Sequence, residues 1–253
     1  MDNNIEKKVI IGLILNIIIL ILGLSSIIIE ISKTFLYKDN FYGKFYDVFR
    51  YFTIDGNLYT IISIIILLIN IKKENNKLLY YFSLSSVVSE FIIFIVIIFI
   101  IVPFTGLTFI NSYTGMSLHI FIPLLIVFRF LYCEYKILHN SSLLKLSGSF
   151  PVLIYGFIIS ILISFNIIEN QKIPYDFLKY NSNPIWLNIL IIILFPTFTI
   201  GFSFLFDYLN FKFGNEIKEQ NQFEDSFSNK DQNNTFEISD SISHINDVNN
   251  LVK

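Results

Sequence analysis

The sequence predicts an all-α fold, a polytopic membrane bundle of six transmembrane helices followed by a disordered C-terminal tail, and three observations predict it. Hydrophobic residues make up 54% of the 253 and charged residues only 15%, a balance outside that of ordinary soluble domains. The apolar residues are gathered into near-continuous runs such as "VIIGLILNIIILILGLSSIIIEI", and about 20 residues suffice to cross a hydrocarbon core of roughly 30 Å. Such runs recur along the chain, and within lipid only helices satisfy their backbone groups one segment at a time.

The first segment, 9–31, follows Lys7 and Lys8 as a secretory signal would, but it is too long and lacks a small-residue cleavage site, so it reads as a retained helix. Gly12, Asn16, Gly23, Ser26 and Glu30 fall near one face of it, a packing face. Segments 50–71, 78–103 and 118–138 come next, with Pro103 placed to end the second of these. In segment 150–168, Gly156, Ser160 and Ser164 form a small-xxx-small stripe expected to bring helices together. In segment 185–207, Pro196 predicts a kink. The organisation is therefore a cytoplasmic N-terminus at 1–8, a six-helix domain at 9–207 and a polar tail at 208–253.

Orientation follows from the basic residues, which are retained on the cytoplasmic side. Lys7, Lys8, Lys72, Lys73, Lys77, Lys136, Lys145, Lys212 and Lys218 flank one side, against Lys33, Lys38, Lys44, Arg50, Lys172 and Lys179 on the other. Nine against six puts both termini inside, and a cell membrane is the expected location. The tail holds four Lys against eight Asp and Glu with few clustered apolar residues, too few to offset the entropy of ordering. No basic patch points to nucleic acid. The single cysteine, Cys133, excludes an intrachain disulfide.

Ionisable groups are costly in lipid, so the few within the segments carry the most information. These are Asp55, Glu90, His119, Arg129 and Glu134. Counting from the helix ends at about 1.5 Å per residue puts Glu90 and Arg129 both near the midplane, and an interhelical ion pair between them is expected. Ser83, Ser86 and Glu90 form one polar stripe turned toward the bundle. Nearer the outer face, Thr53, Asn57 and Thr60 share a side of the second helix while Asp55 points elsewhere. Thr53 and His119 are therefore positioned to meet, and a hydroxyl beside an imidazole is the minimum for acyl transfer. The plainer reading of the same residues is a threonine bonded to its own helix and an interfacial histidine. The hydrolase, zinc-protease and phosphate-loop motifs of soluble enzymes are absent from the sequence.

Three stretches carry a family resemblance. "YFTIDGNLYTIISIIILLI" on the second helix, "SLHIFIPLLIVFRFLY" with His119 and Pro123 on the fourth, and "KIPYDFLKYNSNP" with Pro174, Tyr175, Phe177 and Leu178 before the sixth occur in order. They resemble the androgen-induced-protein-like membrane hydrolase family, whose animal members are threonine hydrolases of fatty acid esters of hydroxy fatty acids, and its bacterial six-proline relatives. The resemblance spans roughly residues 9–207 and implies six helices, a Thr53 nucleophile and a His119 base. Gly56 departs from it where a Ser is common, and so does Arg129, where many bacterial relatives carry an acid.

The expected function is a membrane-embedded hydrolase of lipid-like esters, with Asp55 or Asn57 orienting the pair and with membrane lipid as surroundings. No metal or organic cofactor is implied. The alternative is a non-enzymatic multi-pass protein, a small transporter or scaffold, using Glu90 and Arg129 as a structural or transport ion pair.

Overall fold

The computed structural model describes residues 3–37, 49, 51–70, 77–107, 110–134, 141–165, 167–168, 173–175, 178–179, 183–186, 188–189 and 191–213. The chain divides into two units, Met1–Phe211 and Lys212–Lys253, and of the second only residues 212 and 213 are described. The tail expected to be disordered lies outside the described residues from 214 onward. So do Lys38, Lys44, Arg50, Lys72, Lys73, Lys136, Lys172 and Lys218 of the orientation count.

Among the described residues all regular structure is helical. Helix α1 is Asn3–Tyr37 and α2 is Phe52–Ile69. Helix α3 spans Lys77–Ile101, and α4 spans Tyr113–Cys133. A short α5, Ser142–Ser147, leads into α6, Phe150–Ser164, and α7 is Ile191–Phe213. Five of these, α1 to α4 and α7, are long and apolar enough to cross a membrane, whereas α6 is an apolar helix of 15 residues. The last helix runs six residues beyond the expected segment end at 207 and continues unbroken past Pro196.

Burial sorts the faces of these helices. Val9, Ile10, Ile14, Ile17, Ile21, Leu24 and Ile28 of α1 are exposed, an apolar stripe that water would penalise and lipid would not. The opposite face of α1, with Gly12, Asn16, Ile19, Gly23 and Ser26, is buried as expected. A Cβ at Gly23 would stand 2.9 Å from Ile61 Cδ1, so the glycine is what lets α1 settle on α2. Helix α3 is central: Ser83 through Glu90 are all buried, and its Leu84, Val87 and Val88 join Ile64, Ile122, Ile126 and Phe130 in the main core.

The corner between α5 and α6 docks on this centre through Gly148, where a Cβ would meet Ser203 Oγ and lie 2.7 Å from Leu84 Cγ. Gly148→Val is expected to destabilise the bundle by about 1–3 kcal/mol through overpacking, read as a lower unfolding midpoint in detergent.

Two prolines share one local device. Proline has no N–H, and its ring crowds the carbonyl four residues back. Before Pro103 and before Pro123 the helix widens into a π turn, Val96–Ile101 and Ser117–Phe121. Pro103 therefore does not end its helix, which continues through Thr105 and stops at Gly106, whose φ of 70 suits glycine.

Candidate functional site

A cavity of about 700 Å³ lies between α2, α3, α6, α7 and the 173–178 segment. Its walls are mostly apolar, and its polar side chains are Thr53, Tyr155, Ser160, Ser164, Tyr175 and Asn188. The size suits a single small or chain-like ligand. Two further lining residues, Phe157 and Ile192, are 68% and 59% exposed, so the cavity opens on the outer, apolar surface of the bundle between α6 and α7. The stripe Gly156, Ser160, Ser164 lines this cavity. A Cβ at Gly156 would meet nothing within 4 Å, which corrects the expectation that the stripe is a helix contact: its small side chains leave space instead of closing it.

Thr53 sits in the first turn of α2, buried but on the cavity wall. The Tyr175 phenol stands beside its side chain and beside the Phe52 backbone. Burial pushes the ionisation of Tyr175 upward, so at neutral pH the phenol keeps its proton. The Tyr175 ring is held edge-on against Tyr51, 5.9 Å between centroids.

The expected meeting of the Thr53 and His119 side chains is not seen at the cavity wall, and the link between their helices runs through backbone carbonyls by way of Asn57. In the π turn the Ile122 N–H bonds to the Ser117 carbonyl, five residues back. The next residue, Pro123, has no N–H to offer, so the Leu118 carbonyl has no donor within its own helix. Asn57 supplies it: its Nδ2 donates to Leu118 O at 3.2 Å and to Thr53 O at 2.8 Å. One buried carboxamide thus ties the Thr53 turn of α2 to the residue preceding His119. Asn57→Leu would leave that carbonyl orphaned in a buried site and is expected to cost about 1–3 kcal/mol, measurable as a lower unfolding midpoint.

The face containing Thr53, Asn57 and Thr60 is buried as expected, and Asp55 is half-buried on another side of α2. Among the described residues, His119, Asp55, Asn57, Glu90 and Arg129 do not line the cavity. His119 is itself buried and interacts electrostatically with Glu30 of α1. Glu30 is fixed by Lys33 at 2.9 Å and by the Thr114 hydroxyl, which donates to it at 2.5 Å.

The expected Glu90 to Arg129 pair does not form. Arg129 Nη1 lies 3.2 Å from Glu134 Oε2 and donates to Ser83 Oγ at 2.9 Å, while the Ser83 hydroxyl donates to Glu134. The reason is reach: the long arginine stem carries its head group toward the end of the bundle, where a second carboxylate stands. Glu90 stays deeper, fully buried, with neither carboxyl oxygen hydrogen-bonded.

That end of the bundle also holds groups that the sequence reading did not single out. Asn210 Nδ2 donates to the carbonyls of Phe130 and Glu134 at 2.7 and 2.6 Å. Tyr80 donates to Asp207 Oδ1 at 3.0 Å, and Lys145 Nζ stands 3.9 Å from Asp207 Oδ2. Thr199, Ser203, Asp207 and Asn210 are all buried and fall at i, i+4, i+8 and i+11, one helical face. That spacing was the available signal.

Among the described residues no three His, Cys, Asp or Glu side chains converge to hold a metal ion. No protein-family model, no curated protein and no solved structure matches the chain.

Proposed function

We propose that the protein is a six-span membrane hydrolase of lipid-like esters, with Thr53 as nucleophile and His119 as general base, and with both termini in the cytoplasm. The observation that carries the reading is a threonine hydroxyl on the wall of an apolar cavity that opens toward the lipid side. The Tyr175 phenol beside that hydroxyl supports it further, because a protonated O–H next to the nucleophile suits a developing oxyanion. Six spans are supported by the exposed apolar side chains of α6, Ile154, Phe157, Ile158 and Ile161.

In this mechanism the Thr53 oxygen bonds to the ester carbonyl carbon as its proton passes to His119. Collapse of the tetrahedral intermediate breaks the ester C–O bond, and His119 returns the proton to the departing alcohol. Water then attacks the acyl-threonine, giving the free acid and restoring the hydroxyl. The step requires the His119 ring to turn toward Thr53 across the Asn57 bridge.

The test is labelling of the purified, full-length protein with a fluorophosphonate carrying an alkyl chain. Labelling lost in Thr53→Ala and retained in Thr53→Ser is the expected result. Equal labelling of the wild type and Thr53→Ala would sink the hydrolase reading. The transporter alternative draws on Glu90, and substrate flux into vesicles abolished by Glu90→Gln, with no ester turnover, would favour it.

A further inference from the structure

We propose that Glu90 is a proton-binding site in the middle of the bundle, a neutral carboxylic acid whose deprotonation is coupled to loosening of the helices around it. The inference is independent of any chemistry at Thr53. Glu90 is 0% exposed, and neither of its oxygens has a hydrogen-bond partner among the described residues. An isolated carboxylate in such a place is strongly disfavoured, and the group takes up a proton instead.

Among the described residues, no countercharge pairs with Glu90. Arg129 is committed to Glu134 and Ser83, and Lys145 stands against Asp207. Other ionisable groups on the neighbouring helices have contacts of their own: Tyr59 is bonded to Ser85, His119 interacts with Glu30, Tyr155 packs on Phe52, and Asp55 is half-exposed in the first turn of α2.

What faces the Glu90 carboxyl is the Thr60 hydroxyl of α2, oriented toward it without closing a hydrogen bond of normal geometry. Thr60 is itself 0% exposed. A protonated carboxyl provides the donor that this hydroxyl oxygen can accept, so one proton satisfies both groups. Loss of that proton leaves a bare anion among Leu84, Val87, Ile126 and their neighbours, and the anion is stabilised only if water enters. Proton release and opening of the α2, α3 and α4 contacts are therefore one event.

The experiment is infrared difference spectroscopy on the full-length protein in lipid, labelled with carbon-13 glutamate, comparing wild type with Glu90→Gln. A carbonyl stretch of a protonated carboxyl at neutral pH, absent from the variant, is the expected result. A carboxylate band lost in its place would overturn the proposal.

Thermal unfolding over a pH series is the second measurement. Because the folded state holds a proton that the unfolded chain releases more easily, stability should fall as pH rises in the wild type relative to Glu90→Gln. At neutral pH the variant, a neutral near-isostere, should unfold within about 4 °C of wild type. Parallel pH profiles, or a larger drop in the variant, would count against a proton site. Should Glu90→Gln fail to fold, the wild-type spectrum with labelled glutamate and the wild-type pH series still decide the question.

Discussion

On the proposed hydrolase mechanism, Thr53→Ala is expected to lower ester turnover by about 10³-fold or more, the scale of losing a nucleophile, with fold and thermal stability preserved. Only a hydroxyl and a methyl are removed, from a position that borders open space, so no tightly packed contact is lost. Thr53→Ser keeps the oxygen and should retain most of the activity. His119→Ala should cost about 10²–10⁴-fold through loss of the base, and the double variant should be no worse than the weaker single one, because nucleophile and base act as a unit. Tyr175→Phe removes the donor beside the attacking oxygen and is expected to lower kcat by about 10²–10³-fold while leaving KM near its original value. Additive losses in the double variant would indicate that the two residues contribute separately.

The second large effect is on stability. Arg129→Leu should cost about 3–5 kcal/mol, since it strands the Glu134 carboxylate in a site largely closed to solvent. The companion Arg129→Leu, Glu134→Leu double variant should recover most of that loss, because replacing both members of a buried pair with apolar groups is close to neutral. Equilibrium unfolding in mixed detergents reads both. Recovery of Arg129→Leu by Glu90→Gln, and not by a change at Glu134, would show that the arginine's partner had been misassigned.

The helices were legible because a membrane span needs one thing, an apolar run long enough to cross, and five of the helices meet that length while α6 has 15 residues. Faces were legible wherever small and polar residues share a period, as in Gly12, Asn16, Gly23 and Ser26 of α1. Arg129 was misread because depth was counted at the backbone, whereas its guanidinium is displaced from its own Cα by the length of the side chain. Gly156, Ser160 and Ser164 were misread because small residues permit a close contact without requiring one, and only the positions of the neighbouring helices decide between contact and void. The face of α7 was missed because the segment was cut at 207, which left Asp207 at its very end and separated Asn210 from Thr199 and Ser203. The burial of the face with Thr53, Asn57 and Thr60 was legible from its spacing, but Tyr175 beside Thr53 lies far along the chain, and no local pattern encodes that approach.

The widened turn at Ser117–Phe121 has a consequence for how this chain tolerates change. A π turn is one residue longer than the α turn it replaces, so everything beyond it is rotated by about 100° relative to an uninterrupted helix. Tyr113 and Thr114 therefore address α1 in one phase, while Ile126, Arg129 and Phe130 address the core in another. Deleting a single residue inside the turn would restore a regular helix and swing one half or the other onto the wrong neighbours. Length at this point is as tightly constrained as the identity of any side chain.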